Sequence, residues 1–241
     1  MKAGYQADLA YIHDAGFSGF VRDAAPFLLR TLRGSGIRDG LVVDLGCGSG
    51  RWAAELLRAG YDVEGVDLSP AMIDLARRHA PGAKFRVASL LSARIPKCAA
   101  VTALGECVNY AFDRRNSATA LKKLFRRVHE ALAPGGLFLF DAAEPGLAPQ
   151  DPVRRWMEGK DWAILLELKK EPRRNTARRQ MTIFRRVNRC WRRSEEAHPL
   201  RLYRREWLKE ALKDAGFAVR IIGGYGREKF RPSLVGFVCQ K

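Results

Sequence analysis

From residue 41 onward the chain repeats one pattern: a short apolar run, a break at Gly or Pro, then a segment whose apolar positions recur every three or four residues. Buried parallel strands read as continuous apolar runs, and crossover helices as one-sided segments, so the repetition predicts strands joined by helices. The runs fall near 41–45, 62–66, 84–88, 99–104 and 136–141, and the one-sided segments near 51–59, 70–80 and 115–132. Ser69 ahead of Pro70 supplies a helix cap and a residue suited to the first turn. Pro134-Gly135-Gly136 ends the long helix and resets the chain for the fifth strand.

Both ends of the chain depart from this pattern. Phe17, Phe20, Val21, Ala24, Leu28 and Leu32 recur at helical spacing, which predicts a helical segment over 5–33, closed by Gly34-Ser35-Gly36. Beyond Asp151 the period drops to two: Trp162, Ile164, Leu166 and Leu168 alternate with other residues, as do Met181, Ile183 and Val187. Half-buried antiparallel strands between about 161 and 203 follow, with Pro172-Arg173-Arg174-Asn175 as a turn. A helix over 204–215 and closing strands over 216–222 and 234–239 complete the chain. The expected fold class is α/β: a Rossmann-like, seven-stranded, mostly parallel sheet with helices on both faces, forming one domain over 1–241. An N-terminal helical cap (1–36) and an antiparallel β insert after the fifth strand (155–203) are expected to lie over it.

Composition adds bounds. At 241 residues and 47% hydrophobic, the chain can bury a full core. No run of about 18 apolar residues occurs, and the first residues lack the apolar stretch of a secretory signal, so a soluble, cytoplasmic protein without membrane partners is expected. Cys47, Cys98, Cys107, Cys190 and Cys239 are odd in number and scattered, with no Cys-x-x-Cys pair and no His at zinc-ligand spacing, which argues against a disulfide framework and a metal. The formal net charge of +17 is uneven: 19 Lys and Arg face 15 Asp and Glu up to residue 150, and 24 face 11 beyond it. This excess, mostly arginine, reflects either an anionic partner or a compositional bias of the source genome. Nothing in the sequence sets the oligomeric state.

The first strand ends at Asp44-Leu45 and runs into Gly46-Cys47-Gly48-Ser49-Gly50 ahead of a helix. Glycines let the main chain approach a ligand closely, though such a turn alone also fits dinucleotides or a simple chain reversal. Asp67, ending the second strand, can accept hydrogen bonds from vicinal ribose hydroxyls. Two features argue against a dinucleotide: the spacing is Gly-x-Gly-x-Gly rather than Gly-x-Gly-x-x-Gly, and Asp44 would repel pyrophosphate while suiting an ammonium and a sulfonium.

VVDLGCGSG (42–50), GVDLSPAMIDLARR (65–78) and LAPGGLFLFD (132–141) together resemble the first, second and fifth-strand motifs of class I S-adenosylmethionine-dependent methyltransferases. The resemblance implies that Gly46, Gly48 and Gly50 surround the methionine portion, that Asp44 anchors the loop and amino group, and that Asp67 holds the ribose. Cys47, Leu68 and Leu104 flank these positions and complete the expected cofactor set with Ser89 and Leu90. The third strand departs from the family, where many relatives place an Asp for the adenine amine; this chain reads Ala88-Ser89-Leu90, leaving the contact to Ser89 or the Leu90 backbone.

Methyl transfer from a sulfonium is an in-line displacement, so the protein mainly aligns acceptor, methyl and sulfur and excludes water. A general base is needed only where the acceptor must lose a proton. The end of the fourth strand offers Glu106, Asn109 and Tyr110 as pocket residues, with Glu106 as a helix cap and Tyr110 as core the alternative. This stretch, ALGECVNYAFD, looks like small-molecule methyltransferases of the glycine-methyltransferase-like type, in which N-terminal helices and an insert cover the acceptor. Tyr5, Tyr11, His13 and Phe17 are lid candidates, Phe17 alternatively packing on the sheet. Trp162, Glu167, Arg185, Glu196, His198 and Arg201 of the insert are within reach. Glu196 and His198 face the same side of a strand, either poising the imidazole as a base or forming a surface pair that offsets nearby arginines.

The leading expectation is methylation of a small, anionic metabolite. The basic run 173–193 supports a nucleic-acid methyltransferase as the rival, although no Asn/Asp-Pro-Pro-Tyr motif follows the fourth strand. A non-catalytic binder of the cofactor is a second rival, against which the polar Glu106 and Asn109 speak.

Overall fold

A computed structural model describes residues 4–17, 19–171 and 175–241. Two helices, α1 (Ala7–Phe17) and α2 (Gly19–Gly34), precede the sheet. Alternating elements follow: β1 (Leu41–Leu45), α3 (Arg51–Arg58), β2 (Asp62–Asp67), α4 (Pro70–His79), β3 (Lys84–Val87), β4 (Cys98–Ala103), a short 3-10 turn (Cys107–Asn109), α5 (Ala118–Ala131) and β5 (Leu132–Ala143). Next come β6 (Val153–Gly159), β7 (Trp162–Lys170), β8 (Thr176–Val187) and β9 (Cys190–Arg201), then α6 (Arg205–Lys213), β10 (Ala218–Ile222), the small pair β11 (Gly224–Tyr225) and β12 (Glu228–Lys229), and β13 (Leu234–Gln240).

The main sheet has seven strands in the order β10-β13-β5-β4-β1-β2-β3. Strands β3, β2, β1, β4 and β5 run parallel, and β13 is antiparallel to both neighbours. Strand order reverses between β1 and β4, and in such sheets a crevice opens outside the carboxyl ends of the strands at that point. Val42, Val43 and Leu45 of β1 and Val101 and Ala103 of β4 are fully covered, as continuous apolar runs require. Ser69 caps α4 by accepting the Met72 N–H at 3.1 Å, with Pro70 in the first turn.

The helical N-terminal segment is divided into α1 and α2. Two expectations are corrected. The Pro134-Gly135-Gly136 break lies inside β5 rather than ahead of it: partners shift from Cys98↔Leu132 to Ala100↔Leu137, so the glycines form a bulge. The insert begins earlier, because β6 pairs with β7 along Val153↔Leu168 to Gly159↔Trp162 although its own sequence shows no clean alternation. Residues 172–174 of the expected turn lie outside the described residues.

The insert is a four-stranded antiparallel sheet, β6-β7-β8-β9. Its inner face carries Leu9 and Ile12 of α1 against Trp162, Ile164, Met181 and Ile183. At residue 16 a Cβ would come within 2.7 Å of the Trp162 ring, so glycine lets α1 lie flat on it. Asp14 ties the other side of α1 to the main domain through Arg51, at 2.8 and 3.0 Å.

Candidate functional site

A cavity of about 810 Å³ lies between the carboxyl ends of β1–β5 below and the cap and insert above. Its floor is the glycine loop. The Gly46 and Cys47 N–H groups donate to the Val66 carbonyl at 2.7 and 2.9 Å, and Gly46, Gly48 and Gly50 all have positive φ (78°, 52° and 77°). A Cβ on Gly48 would meet nothing within 4 Å, so the main chain is bare on that side. Gly50 is different. Its Cβ would approach Ala76 Cα of α4 to 2.7 Å, which makes it a packing glycine between α3 and α4, off the cavity wall.

Two carboxylates flank the loop. Asp67 accepts the Gly48 N–H at 3.0 Å on Oδ2 and the Ser69 N–H at 2.8 Å on Oδ1. Asp44 accepts the Thr102 hydroxyl at 2.7 Å on Oδ1, while its Oδ2 takes no hydrogen bond among the described residues. Burial pushes the Asp44 carboxyl up to about 7, with the charge of Asp67 adding to the effect against the Thr102 bond. Asp67 is raised in the same direction, mainly by burial. An acidic, water-poor floor with an open carboxylate oxygen suits a cationic ligand, whose ammonium would restore the ionised form. Leu68, Ser89, Leu90, Leu104 and Cys47 line the same cavity. These residues fit S-adenosylmethionine: acceptors for an ammonium and a ribose, and a bare backbone between them.

The turn after β4 is held by Asp141, which accepts the Gly105 and Glu106 N–H groups at 2.9 and 2.6 Å and the Tyr225 hydroxyl at 2.9 Å. Burial lifts Asp141 to about 6 against those bonds. Glu106 thereby adopts φ 61° and turns its carboxylate upward to Arg179 of β8, at 2.6 Å. Arg179 also donates to the Tyr110 hydroxyl at 3.2 Å, which shares a 2.8 Å bond with the Tyr5 hydroxyl. Glu106 thus stands at the start of the 3-10 turn without a side-chain capping bond, and Tyr110 faces the cavity. Asn109 does not: its amide donates to the Ala143 and Arg201 carbonyls and accepts the Ala143 N–H, joining β5 to β9 behind the wall.

Glu196 and His198 are buried, not a surface pair. The Glu196 carboxylate accepts the Tyr5 and Gln6 N–H groups at 2.7 and 2.8 Å and lies 3.0 Å from His198 Nε2, fastening the start of α1 to the insert. His198 lines the cavity, as do Tyr5, His13 and Phe17. Burial lowers His13 to about 4, so its imidazole is neutral near pH 7. Phe17 is 37% exposed and stacks on His13 instead of the sheet. Tyr11, Arg185, Glu167, Trp162 and Arg201 do not line the cavity. Tyr11 donates to Asp161 beneath the Arg185 guanidinium, and Glu167 pairs with Arg154 outside.

Arg179 was legible but missed: it stands two residues before Met181 in the same alternation. Arg155 of β6, Lys229 of β12 and Arg231 also line the cavity, and no period flags them.

The sheet order, with the glycine loop between two carboxylates and the covered cavity, matches the fold of class I, S-adenosylmethionine-dependent methyltransferases. Residues 42–136 match a family model described as a methyltransferase domain. A magnesium-protoporphyrin O-methyltransferase of Rhodobacter capsulatus is 32% identical over 107 residues, 41% of this chain and 47% of that protein. The chain spans less than half the length of the curated relatives it matches. In fold it is similar to an S-adenosylmethionine-dependent methyltransferase from Clostridium acetobutylicum (TM-score 0.80, 20% identity, 96% of each chain). It is equally similar to the sugar N-methyltransferase KedS8 from Streptoalloteichus (TM-score 0.79, 20% identity, 100% of this chain and 94% of the other). Among the described residues no helix is long and apolar enough to cross a membrane.

Proposed function

We propose that the chain transfers the methyl group of S-adenosylmethionine to a small, anionic metabolite. The observation that carries this reading is the roofed cavity, which joins the floor at Asp44, Gly48 and Asp67 to polar side chains of the cap and insert. Its volume lies within the roughly 300–1,000 Å³ of small-molecule sites. The cofactor supplies the methyl and the leaving group. In this proposal Asp44 and the glycine loop hold the methionine end, Asp67 the ribose, and Tyr5, Tyr110, Glu106 and His198 orient the acceptor and exclude water. At the mouth Arg155, Lys229 and Arg231 have no side-chain partner among the described residues, and such cations favour a carboxylate or phosphate. Any proton the acceptor loses would pass to the Glu106 carboxylate or the His198 imidazole, because burial keeps the Tyr5 and Tyr110 phenols protonated.

The nucleic-acid reading draws less support. Within 173–193, Arg178, Arg179, Arg185 and Arg192 pair with Glu171, Glu106 and Asp8, and Arg186 lies over the Trp191 ring. These guanidiniums are committed within the protein instead of forming an open basic face. A labelled-methyl screen of metabolite pools and total RNA tests both readings together. Label in a small anionic product is expected; label confined to RNA overturns the proposal, and calorimetry showing no binding of S-adenosylmethionine or S-adenosylhomocysteine removes it altogether.

A further inference from the structure

At the exit of β3 the chain has Ser89, and the structure brings a carboxylate to the same place from elsewhere. Asp113, in the loop between the 3-10 turn and α5, lines the cavity beside Ala88, Ser89, Leu90 and Leu91. The Ser89 hydroxyl donates to Asp113 Oδ2 and accepts the Leu91 N–H at 3.0 Å. The Arg115 N–H and Nε donate to Asp113 Oδ1 at 3.0 and 3.2 Å, and Arg115 Nη1 reaches Ser92 Oγ at 2.9 Å, clipping the loop over the strand exit. With 11% of its side chain exposed, Asp113 is sheltered from competing water. Desolvation works to raise its pKa, but the bonds from Ser89 and Arg115 prevail and keep it below the ordinary value, so it is ionised.

The hydrogen-bonding capacity at this edge is specific. Asp113 Oδ1 takes two donors and Oδ2 only one, leaving Oδ2 able to accept another. Ser89 gives its only proton to Asp113 and has none for a ligand. The Leu90 N–H meets no acceptor among the described residues. An open acceptor beside an open donor is the complement of a ring nitrogen next to an exocyclic amine. We propose that Asp113, held by Ser89, is the residue that selects an aminopurine: it accepts from the adenine amine while the Leu90 N–H donates to the adjacent ring nitrogen. The inference rests on the cofactor reading above. A 6-oxopurine presents the opposite pattern, a carbonyl and a ring N–H, and would set its carbonyl against the carboxylate.

The test is calorimetric titration of the wild type, Asp113→Ala and Asp113→Asn with S-adenosylhomocysteine and its 6-oxo analogue, S-inosylhomocysteine, with thermal melting as the folding control. The wild type is expected to prefer the adenosyl compound by about tenfold or more, because a site built for a hydrogen bond rejects an analogue lacking it. Both variants are expected to lower that ratio by about threefold or more, the remaining preference coming from the Leu90 N–H. A merely structural role would weaken both ligands alike and leave the ratio unchanged. An unchanged ratio in either folded variant overturns the assignment, and the isosteric Asn keeps the test available where Ala fails to fold. Wild-type protein that binds neither compound removes the cofactor reading and this subsite together; binding of the adenosyl compound with the ratio unmoved by substitution removes only Asp113.

Discussion

The floor of the cavity takes its ligand-facing atoms from short stretches at the ends of β1 and β2, while the roof joins segments as remote as Tyr5 and Glu196, 191 residues apart in sequence. The floor uses backbone: positive-φ glycines and the Asp67 carboxylate, which accepts main-chain N–H groups. The roof uses side chains, with Glu106, Arg179, Tyr110 and Tyr5 in one hydrogen-bonded chain. Backbone geometry tolerates little change, whereas a side-chain network can be redrawn one residue at a time. A single fold can thus keep one cofactor and exchange acceptors.

That contrast can be broken at several points. The largest effect is expected at Glu106→Gln, which leaves Arg179 uncompensated under cover. Losing one partner of a buried pair costs about 3–5 kcal/mol, and chemical denaturation should show this. If stability were unchanged, the roof would be wetter and looser than described. Gly50→Ala combines a strained φ with contact against α4 backbone, and should lower stability by about 2–4 kcal/mol by the same measurement. Asp67→Ala should weaken S-adenosylhomocysteine binding by about 1–3 kcal/mol in calorimetry; unchanged affinity would count against the ribose assignment.

A fourth test uses pH. The folded pKa of Asp44 stands above its unfolded value, so the folded state binds the extra proton, and this contribution to stability is present below about pH 4 and lost as pH rises toward about 7. His13, lowered to about 4, acts in the opposite direction, so wild type should be compared with Asp44→Asn. The variant should lose less stability than wild type between pH 4 and 7, and parallel melting profiles would refute the assignment. The smallest effect is expected at the mouth. Arg155→Ala should raise the acceptor KM by a factor equivalent to about 1 kcal/mol with kcat and melting temperature unchanged, because an exposed cation adds only modestly to binding.

Sequence and structure agree best where period and burial coincide. β1 falls at 41–45 as read, because a central parallel strand is apolar throughout and its Gly-rich exit is local. β6 escaped notice because five of its seven residues are exposed and mostly charged, so hydrogen bonding to β7 places it without any apolar stripe. Floor residues were legible because the loop and both acids lie within 24 positions of one another. Roof residues were legible only in part: Tyr5, Glu106, Tyr110 and His198 line the cavity, and Asn109 does not. Asn109 has the composition of a pocket residue, yet its amide matches the unpaired backbone groups of Ala143 and Arg201, a demand that only tertiary structure creates. Asp113 stood in a stretch already quoted, but its neighbour Ser89 is 24 residues away.

Ser69 links the two halves. Its N–H is bound by Asp67, its hydroxyl oxygen caps α4, and that hydroxyl donates to the Tyr5 carbonyl at 2.6 Å. One residue is thus wired to the Asp67 carboxylate of the floor on one side and to Tyr5 of the roof on the other. Ligands that bias the two ends are energetically linked, and linkage of this kind is reciprocal: whatever factor one imposes on the affinity of the other is returned in full.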